Sequence, residues 1–150
     1  MWCCLVGSEM CIRDRLLLIQ SLLESPVEGS WVVNILDFKV ESPNADYLSY
    51  TGSRFALHGL TSALALDLAP KVRINSVAPG HVLTSDILDT ESLQRVQSAS
   101  PLGYGPSARD VAESVAFLAK SPAITGQTIF VDSGERFRQM KKDPALDKGE

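Results

Sequence analysis

The chain has 150 residues, 45% of them hydrophobic and 21% charged, with 14 Lys and Arg against 18 Asp and Glu. That length suits one ordinary globular domain, and the balance excludes wholesale disorder, collagen-like repeats and a coiled coil. No apolar run approaches the ~20 residues of a membrane-spanning helix, so no membrane partner is expected.

Charge and cysteine are unevenly distributed. Cys3, Cys4 and Cys11 all fall in the first eleven residues, without a second pair or histidines at ligand spacing, so neither a disulfide scaffold nor a metal site is expected. Residues 16–134 carry seven basic against twelve acidic side chains, a net of −5. An acidic chain without a basic face lacks the footprint of nucleic-acid binding.

The first fifteen residues read as foreign. Met10-Cys11-Ile12-Arg13-Asp14-Arg15 is what ATG TGT ATA AGA GAC AGR encodes, and resembles a transposon-type sequencing adapter translated in frame. Residues 1–15 are therefore expected to be a non-native scar. Bases upstream of the Leu16 codon should match a library adapter; a genuine continuing reading frame there would refute this.

Beyond Leu16, Trp31-Val32-Val33-Asn34-Ile35-Leu36 follows a turn-like stretch and is predicted to be a strand buried on both faces. A helix is predicted from about Tyr47 to Ala69, stopped by Pro70, with Phe55, Leu57, Leu60, Leu64 and Leu68 at helical spacings. Val72–Ala78 reads as a second strand ended by Pro79-Gly80. Residues 81–107 form a long loop of the binding or lid kind, with a short helix at Glu91–Ala99. Ala108–Lys120 is predicted helical with Ser107 as N-cap, and Thr128–Val131 is a third strand. Residues 135–150 are expected to be a mobile charged tail.

Alternating strands and helices imply a parallel sheet in an α/β fold with right-handed crossovers. Neither G-x-G-x-x-G nor G-x-x-x-x-G-K-[ST] occurs, so the expected fold is a partial doubly wound, Rossmann-like sheet over residues 16–134 whose N-terminal phosphate-binding half is missing.

Several segments, in order, carry a resemblance. They are Val33-Asn34-Ile35, Tyr50-Thr51-Gly52-Ser53-Arg54, Gly59-Leu60-Thr61, Val72-Arg73-Ile74-Asn75-Ser76-Val77-Ala78-Pro79-Gly80, and Ile124-Thr125-Gly126-Gln127 leading to Val131-Asp132-Ser133-Gly134. Together they resemble the C-terminal half of the short-chain dehydrogenase/reductase family. The resemblance implies an NAD(P)-dependent oxidoreductase, cytoplasmic and forming a homodimer or homotetramer when full length. The present chain, as a fragment, would be inactive.

Tyr50 and Arg54 lie four apart on a helix and so share a face, where the cation is expected to lower the phenol's pKa. The family pairs Tyr with Lys at these positions: the Tyr exchanges a proton with substrate, and the Lys holds the nicotinamide ribose. Arg54 keeps the charge but not the shape of an ammonium. Thirteen positions before Tyr50, where the family usually carries Ser, stands Asp37. An Asp there resembles the pteridine reductase-like branch, which includes dihydrofolate and dihydromonapterin reductases. A carboxylate can accept hydrogen bonds from the amino group and ring N–H of a pterin.

The resemblance thus implies Tyr50, Arg54 and Asp37 as catalytic residues. It implies NADPH, or NADH in its place, held by Tyr50, Arg54, Pro79, Gly80, Val82 and Thr84, and hydride transfer to a C=N bond of a dihydropterin or dihydrofolate. The family's further catalytic Asn would fall near Met10. His58 and His81 are read as structural or solvent-facing, although His81 could line the site by position. Two other readings stand beside this one: a general carbonyl or alcohol reductase, and a catalytically inactive relative serving as a binding or oligomerisation module.

Overall fold

The computed structural model describes residues 2–25, 27–138 and 141–143, with side chains from Ile12 onward. Helix α1 spans Trp2–Glu24, strand β1 Ser30–Ile35, helix α2 Leu48–Asp67 and strand β2 Val72–Pro79. Helix α3 (Thr90–Ser98), helix α4 (Ala108–Lys120) and strand β3 (Thr128–Val131) complete the set, with short 3-10 turns at Phe38–Val40 and Glu135–Arg138. The three strands form a parallel sheet in the order β1-β2-β3. This is the small α/β, Rossmann-like sheet that the strand and helix alternation implied. Among the described residues no helix is long and apolar enough to cross a membrane.

β2 is central because its side chains alternate between two covered faces. Ile74 and Val72 pack with Ala65 of α2 and Ile19 of α1, and Ala78 packs with Leu57 of α2 and Leu36. On the other face, Arg73 reaches the end of α4. Its guanidinium donates to Leu118 O (2.9 Å), Ala119 O (2.8 Å) and Ser121 O (2.8 Å). These include carbonyls that a helix C-terminus leaves without intrahelical donors. Asn75 continues the pattern, donating to Ile124 O and accepting from Gln127 N.

The α2 face also holds a buried polar knot. Thr61 Oγ1 accepts from Asn34 Nδ2 (3.0 Å) and Ser76 Oγ (3.1 Å) and donates to Leu57 O (2.8 Å). Thus one hydroxyl ties β1, β2 and α2 together.

Two expectations are corrected. Trp31 and Ile35 are 45% and 42% exposed, so β1 is not buried on both faces. It is one of the sheet's two edge strands among the described residues, and on the face toward α4 its side chains keep an open flank. The segment expected as a mobile tail begins packed: Glu135 is 1% exposed and Asp143 is buried, because Glu135 hydrogen-bonds His81 and Asp143 pairs with Lys39 near the strand ends. Residues 139–140 and 144–150 lie outside the described residues, as does the side chain of Met10. α1 runs without a break through the segment expected to be foreign.

Local signals set the helix limits. Ser107 and Asp110 form a reciprocal capping box at α4, and Asp89 caps α3 through Ser92 N at 2.8 Å.

Replacing Thr61 by the isosteric Val would leave Asn34 Nδ2 and Ser76 Oγ buried without their acceptor. The expected cost is about 2 kcal/mol, read as a lower urea midpoint with an unchanged m-value. An unaltered midpoint would show that the knot contributes nothing.

Candidate active site

The carboxyl ends of the three strands lie side by side, because the register places Ile35 opposite Val77 and Pro79 opposite Val131. Asp37 follows β1, Gly80 and His81 follow β2, and Asp132 and Glu135 follow β3. Ligands sit at this edge in open α/β sheets.

Asp37 and Tyr50 meet directly. The phenol donates to Asp37 Oδ2 at 2.8 Å, and Asp37 Oδ1 accepts from Lys39 N at 2.9 Å, which also caps the 3-10 turn Phe38–Val40. The Arg54 guanidinium lies 4.7 Å from the Tyr50 ring centroid and donates from Nη1 to Ile35 O at 3.3 Å. Its Nε is buried without a hydrogen-bond partner.

The electrostatics reverse the expected phenol shift. Burial and the Asp37 charge push Tyr50 up to about 12, and the opposing pull of Arg54 does not overcome them. Burial likewise holds Asp37 above the usual carboxylate range, against the backbone and Tyr50 hydrogen bonds it accepts. At neutral pH Tyr50 therefore carries its proton.

Two cavities share this pair. One, of about 380 Å³, is lined by Phe38, Lys39, Tyr47, His81, Ile87 and Leu88 among others. The second, of about 340 Å³, is lined by Leu36, Pro79, Gly80, Val82, Ala108 and Val111. Asp37, Tyr50, Gly80, Val82 and Leu83 belong to both. Of the residues singled out in the sequence, Tyr50, Asp37, Pro79, Gly80 and Val82 are thus brought together, with Arg54 stacked against Tyr50. Thr84 is exposed and lines neither of these cavities. The long loop after β2 does form cavity wall, through Val82, Leu83, Ser85, Ile87 and Leu88.

Sequence reasoning missed several wall residues. Tyr47 adopts the left-handed region (φ 54°) at the start of α2, and its ring lies 5.4 Å from Lys39 Nζ. Lys39 is buried and ion-paired with Asp143, whose backbone N–H donates to Asp46 Oδ2 at 2.7 Å. Glu135 takes both the backbone N–H of His81 (3.0 Å) and its Nδ1 (2.5 Å). Gly80 allows this contact, since a Cβ there would stand 2.6 Å from Glu135 Oε2 and 3.1 Å from Asp132 Cα. The positive φ of Tyr47, the Gly80 contact and the distant partners Glu135 and Asp143 need spatial information of a kind no local pattern supplies, whereas Lys39 lies two residues from Asp37 in the sequence.

Comparison with known proteins identifies the family. Residues 15–135 match the family model described as Enoyl-(Acyl carrier protein) reductase. The chain belongs to the short-chain dehydrogenase/reductase family. Within it, the chain lies on the pteridine reductase-like branch. It is similar to FolM alternative dihydrofolate reductase 1 from Brucella canis, solved in complex with NADP, at 32% identity and a TM-score of 0.82, over 87% of this chain and 53% of that one. Dihydromonapterin reductase from Escherichia coli O6:K15:H31 is 30% identical over 73% of this chain and 46% of its own length. Glucose 1-dehydrogenase from Gluconobacter oxydans is 36% identical over 77% of this chain and 46% of its own. The chain spans about half the length of the curated relatives it matches.

The His81 and Glu135 pair predicts a pH-dependent stability. Burial disfavours the imidazolium, but the hydrogen bond and charge of Glu135 outweigh it, holding His81 above its ordinary 6.5. Stability from this pair is then fully present below the unfolded His pKa and is lost as pH rises through the raised folded value. Denaturant unfolding from about pH 6 to about pH 9 should show this decline in the native chain and a flatter profile in Glu135→Gln. Parallel profiles would contradict the assignment.

Proposed function

We propose that the protein containing this chain is an NADPH-dependent reductase of a C=N bond in a dihydropterin or dihydrofolate. The observation that carries the reading is the Tyr50 to Asp37 hydrogen bond at the junction of two cavities. A carbonyl reductase site needs only a neutral donor beside its Tyr. A buried carboxylate instead suits a substrate that brings its own N–H donors. The pterin and folate reductases among the similar proteins support the same substrate class.

The residues present fit the reacting end of the cofactor. The second cavity is a largely apolar slot beside Tyr50 at the strand ends, and the unpartnered buried Nε of Arg54 suits a ribose hydroxyl. Tyr50 and Arg54 would hold the ribose, and Pro79, Gly80 and Val82 the nicotinamide face; Thr84, which lines neither cavity, would make no contact. Bound NADPH would supply the hydride. On this reading residues 16–134 are the reductase portion and 1–15 are extraneous to it; the family match also begins at residue 15.

The substrate would enter the larger cavity and replace Tyr50 as the hydrogen-bond partner of Asp37, offering its amino and ring N–H groups to the carboxylate. That frees the phenol, kept protonated by its raised pKa, to deliver its proton to the nitrogen of the C=N bond. Arg54, stacked on the ring, stabilises the phenolate left behind until solvent reprotonates it. No homodimer or homotetramer contact is needed for these steps, although family membership makes such assembly part of the proposal.

A second reading has its own support. The glucose 1-dehydrogenase relative is the more identical of the sequence relatives described above, which favours oxidation of a sugar hydroxyl with Asp37 accepting the substrate's O–H.

The test uses the longest open reading frame that contains this chain. NADPH oxidation with dihydropterin and dihydrofolate should exceed NADP reduction by glucose and NADPH oxidation with a simple ketone. Tyr50→Phe should lower kcat by about 10²- to 10⁴-fold while NADPH still binds. Glucose turnover without pterin turnover would install the second reading. Cofactor binding without turnover of any of the four would make the protein an inactive binding module.

A further inference from the structure

His81 is held more firmly than a wall residue requires. Both oxygens of Glu135 are spent on it, its carbonyl accepts from Gln97 Nε2 at 2.8 Å, and the Phe38 ring lies 5.6 Å from its own ring centroid in a tilted contact. Glycine at position 80 is what lets Glu135 approach so closely. With Nδ1 committed to Glu135, Nε2 is the ring nitrogen left for a ligand. It lies 4.0 Å from Asp143 Oδ1, beyond hydrogen-bond reach, and both residues line the larger cavity with Asp37.

We infer that His81, oriented by Glu135, is a specificity-determining residue whose Nε2 meets the substrate heterocycle across the cavity from Asp37. The two groups together then read a substrate that donates on one edge and accepts on the other. This deepens the pterin reading and rests on it. A 2-amino-4-oxo ring offers N–H donors to the Asp37 carboxylate and an oxo acceptor to a donating His81. A 2,4-diamino ring offers a donor where His81 needs an acceptor, so it is disfavoured.

The sign of this preference follows protonation. Asp37 from the β1 end, Asp143 from the C-terminal segment and Glu135 from the turn after β3 face His81, while the one cation of that wall, Lys39, is paired with Asp143. Those carboxylates favour imidazolium, in which Nε2 carries a proton and donates. When His81 is neutral, Glu135 retains the Nδ1 proton and Nε2 turns acceptor. Raising the pH should therefore weaken binding of the oxo ring and strengthen binding of the diamino ring.

The experiment measures binding of 7,8-dihydropterin and of 2,4-diaminopteridine to the NADPH-bound protein expressed from the longest open reading frame, at about pH 6 and about pH 9. The wild type should prefer the oxo ring at the lower pH, with the preference falling about tenfold at the higher. His81→Leu should lose about tenfold of the preference and all of its pH dependence. His81→Gln, which keeps a donor without titrating, should retain preference and lose only the pH dependence. If the Leu variant fails to bind NADPH, the Gln variant carries the test alone. A wild-type pH profile in His81→Gln would overturn the inference while leaving pterin reduction intact. Failure of the wild type to bind either ring would overturn the pterin reading, and this inference with it.

Discussion

The molecule depends on how β2 is fastened. A central parallel strand must be covered on both faces, and here the cover is fixed by polar contacts as much as by apolar ones. Thr61 holds the α2 face through Asn34 and Ser76, and Arg73 gathers the carbonyls at the end of α4 on the other. A hydrophobic face alone tolerates sliding, whereas each of these bonds is satisfied at one register only. The register then sets the level at which the strands end. Asp37, Gly80 and Glu135 consequently arrive at one edge although nearly a hundred residues of chain separate the first from the last.

That edge bears the tension usual at a functional site. Asp37 sits in a place that disfavours its charged form, and its hydrogen bonds to Lys39 N and Tyr50 offset the penalty only in part, since its pKa stays raised. Tyr50 is bound to the same carboxylate and is harder to ionise for it. On the proposed reading a substrate with N–H donors would relieve both groups at once, by supplying Asp37 with better partners and releasing the phenol. Part of the recognition would then be stored in the free protein as an imperfectly satisfied pair. Lys39 does not serve this purpose, because Asp143 already neutralises it inside the wall.

Much of the fold was legible in the sequence because its signals are local. The β-branched run of β2, the leucine spacing of α2 and the capping box at Ser107 each lie within one element. Several motif residues that marked the family prove to be fasteners: Asn34, Thr61, Arg73 and Asn75 bond across elements rather than toward a ligand. The site was legible only where its residues share a helix or directly follow a strand, as Tyr50, Arg54, Asp37 and Gly80 do. The phenol's pKa was misjudged because the i, i+4 neighbour is visible in sequence while burial and a carboxylate thirteen residues back act through space. Glu135 and Asp143 were hidden for the same reason, in a stretch whose mixed charge resembles a solvated tail until partners are found for it.

On the proposed reading the tasks of a dinucleotide site would be separated along the sequence. The cavities described hold nothing suited to a pyrophosphate: the second is mostly apolar, and neither G-x-G-x-x-G nor G-x-x-x-x-G-K-[ST] occurs in the sequence. These residues would on that reading shape the reacting end alone, a slot for a flat ring against Gly80 and Val82 beside Tyr50, with Arg54 stacked on the Tyr50 ring. In such a division, affinity for the cofactor comes chiefly from the phosphate end, where helix N-termini and backbone N–H groups meet full charges. The contacts described here add orientation at the bond being made. β1 marks where the two would join, since its flank is open and its last residues lead straight into Asp37. A parallel strand paired along that edge would satisfy its free backbone groups, an element packed on the same face would cover Trp31 and Ile35, and any phosphate-binding turn at that strand's carboxyl end would lie at the same edge as Tyr50.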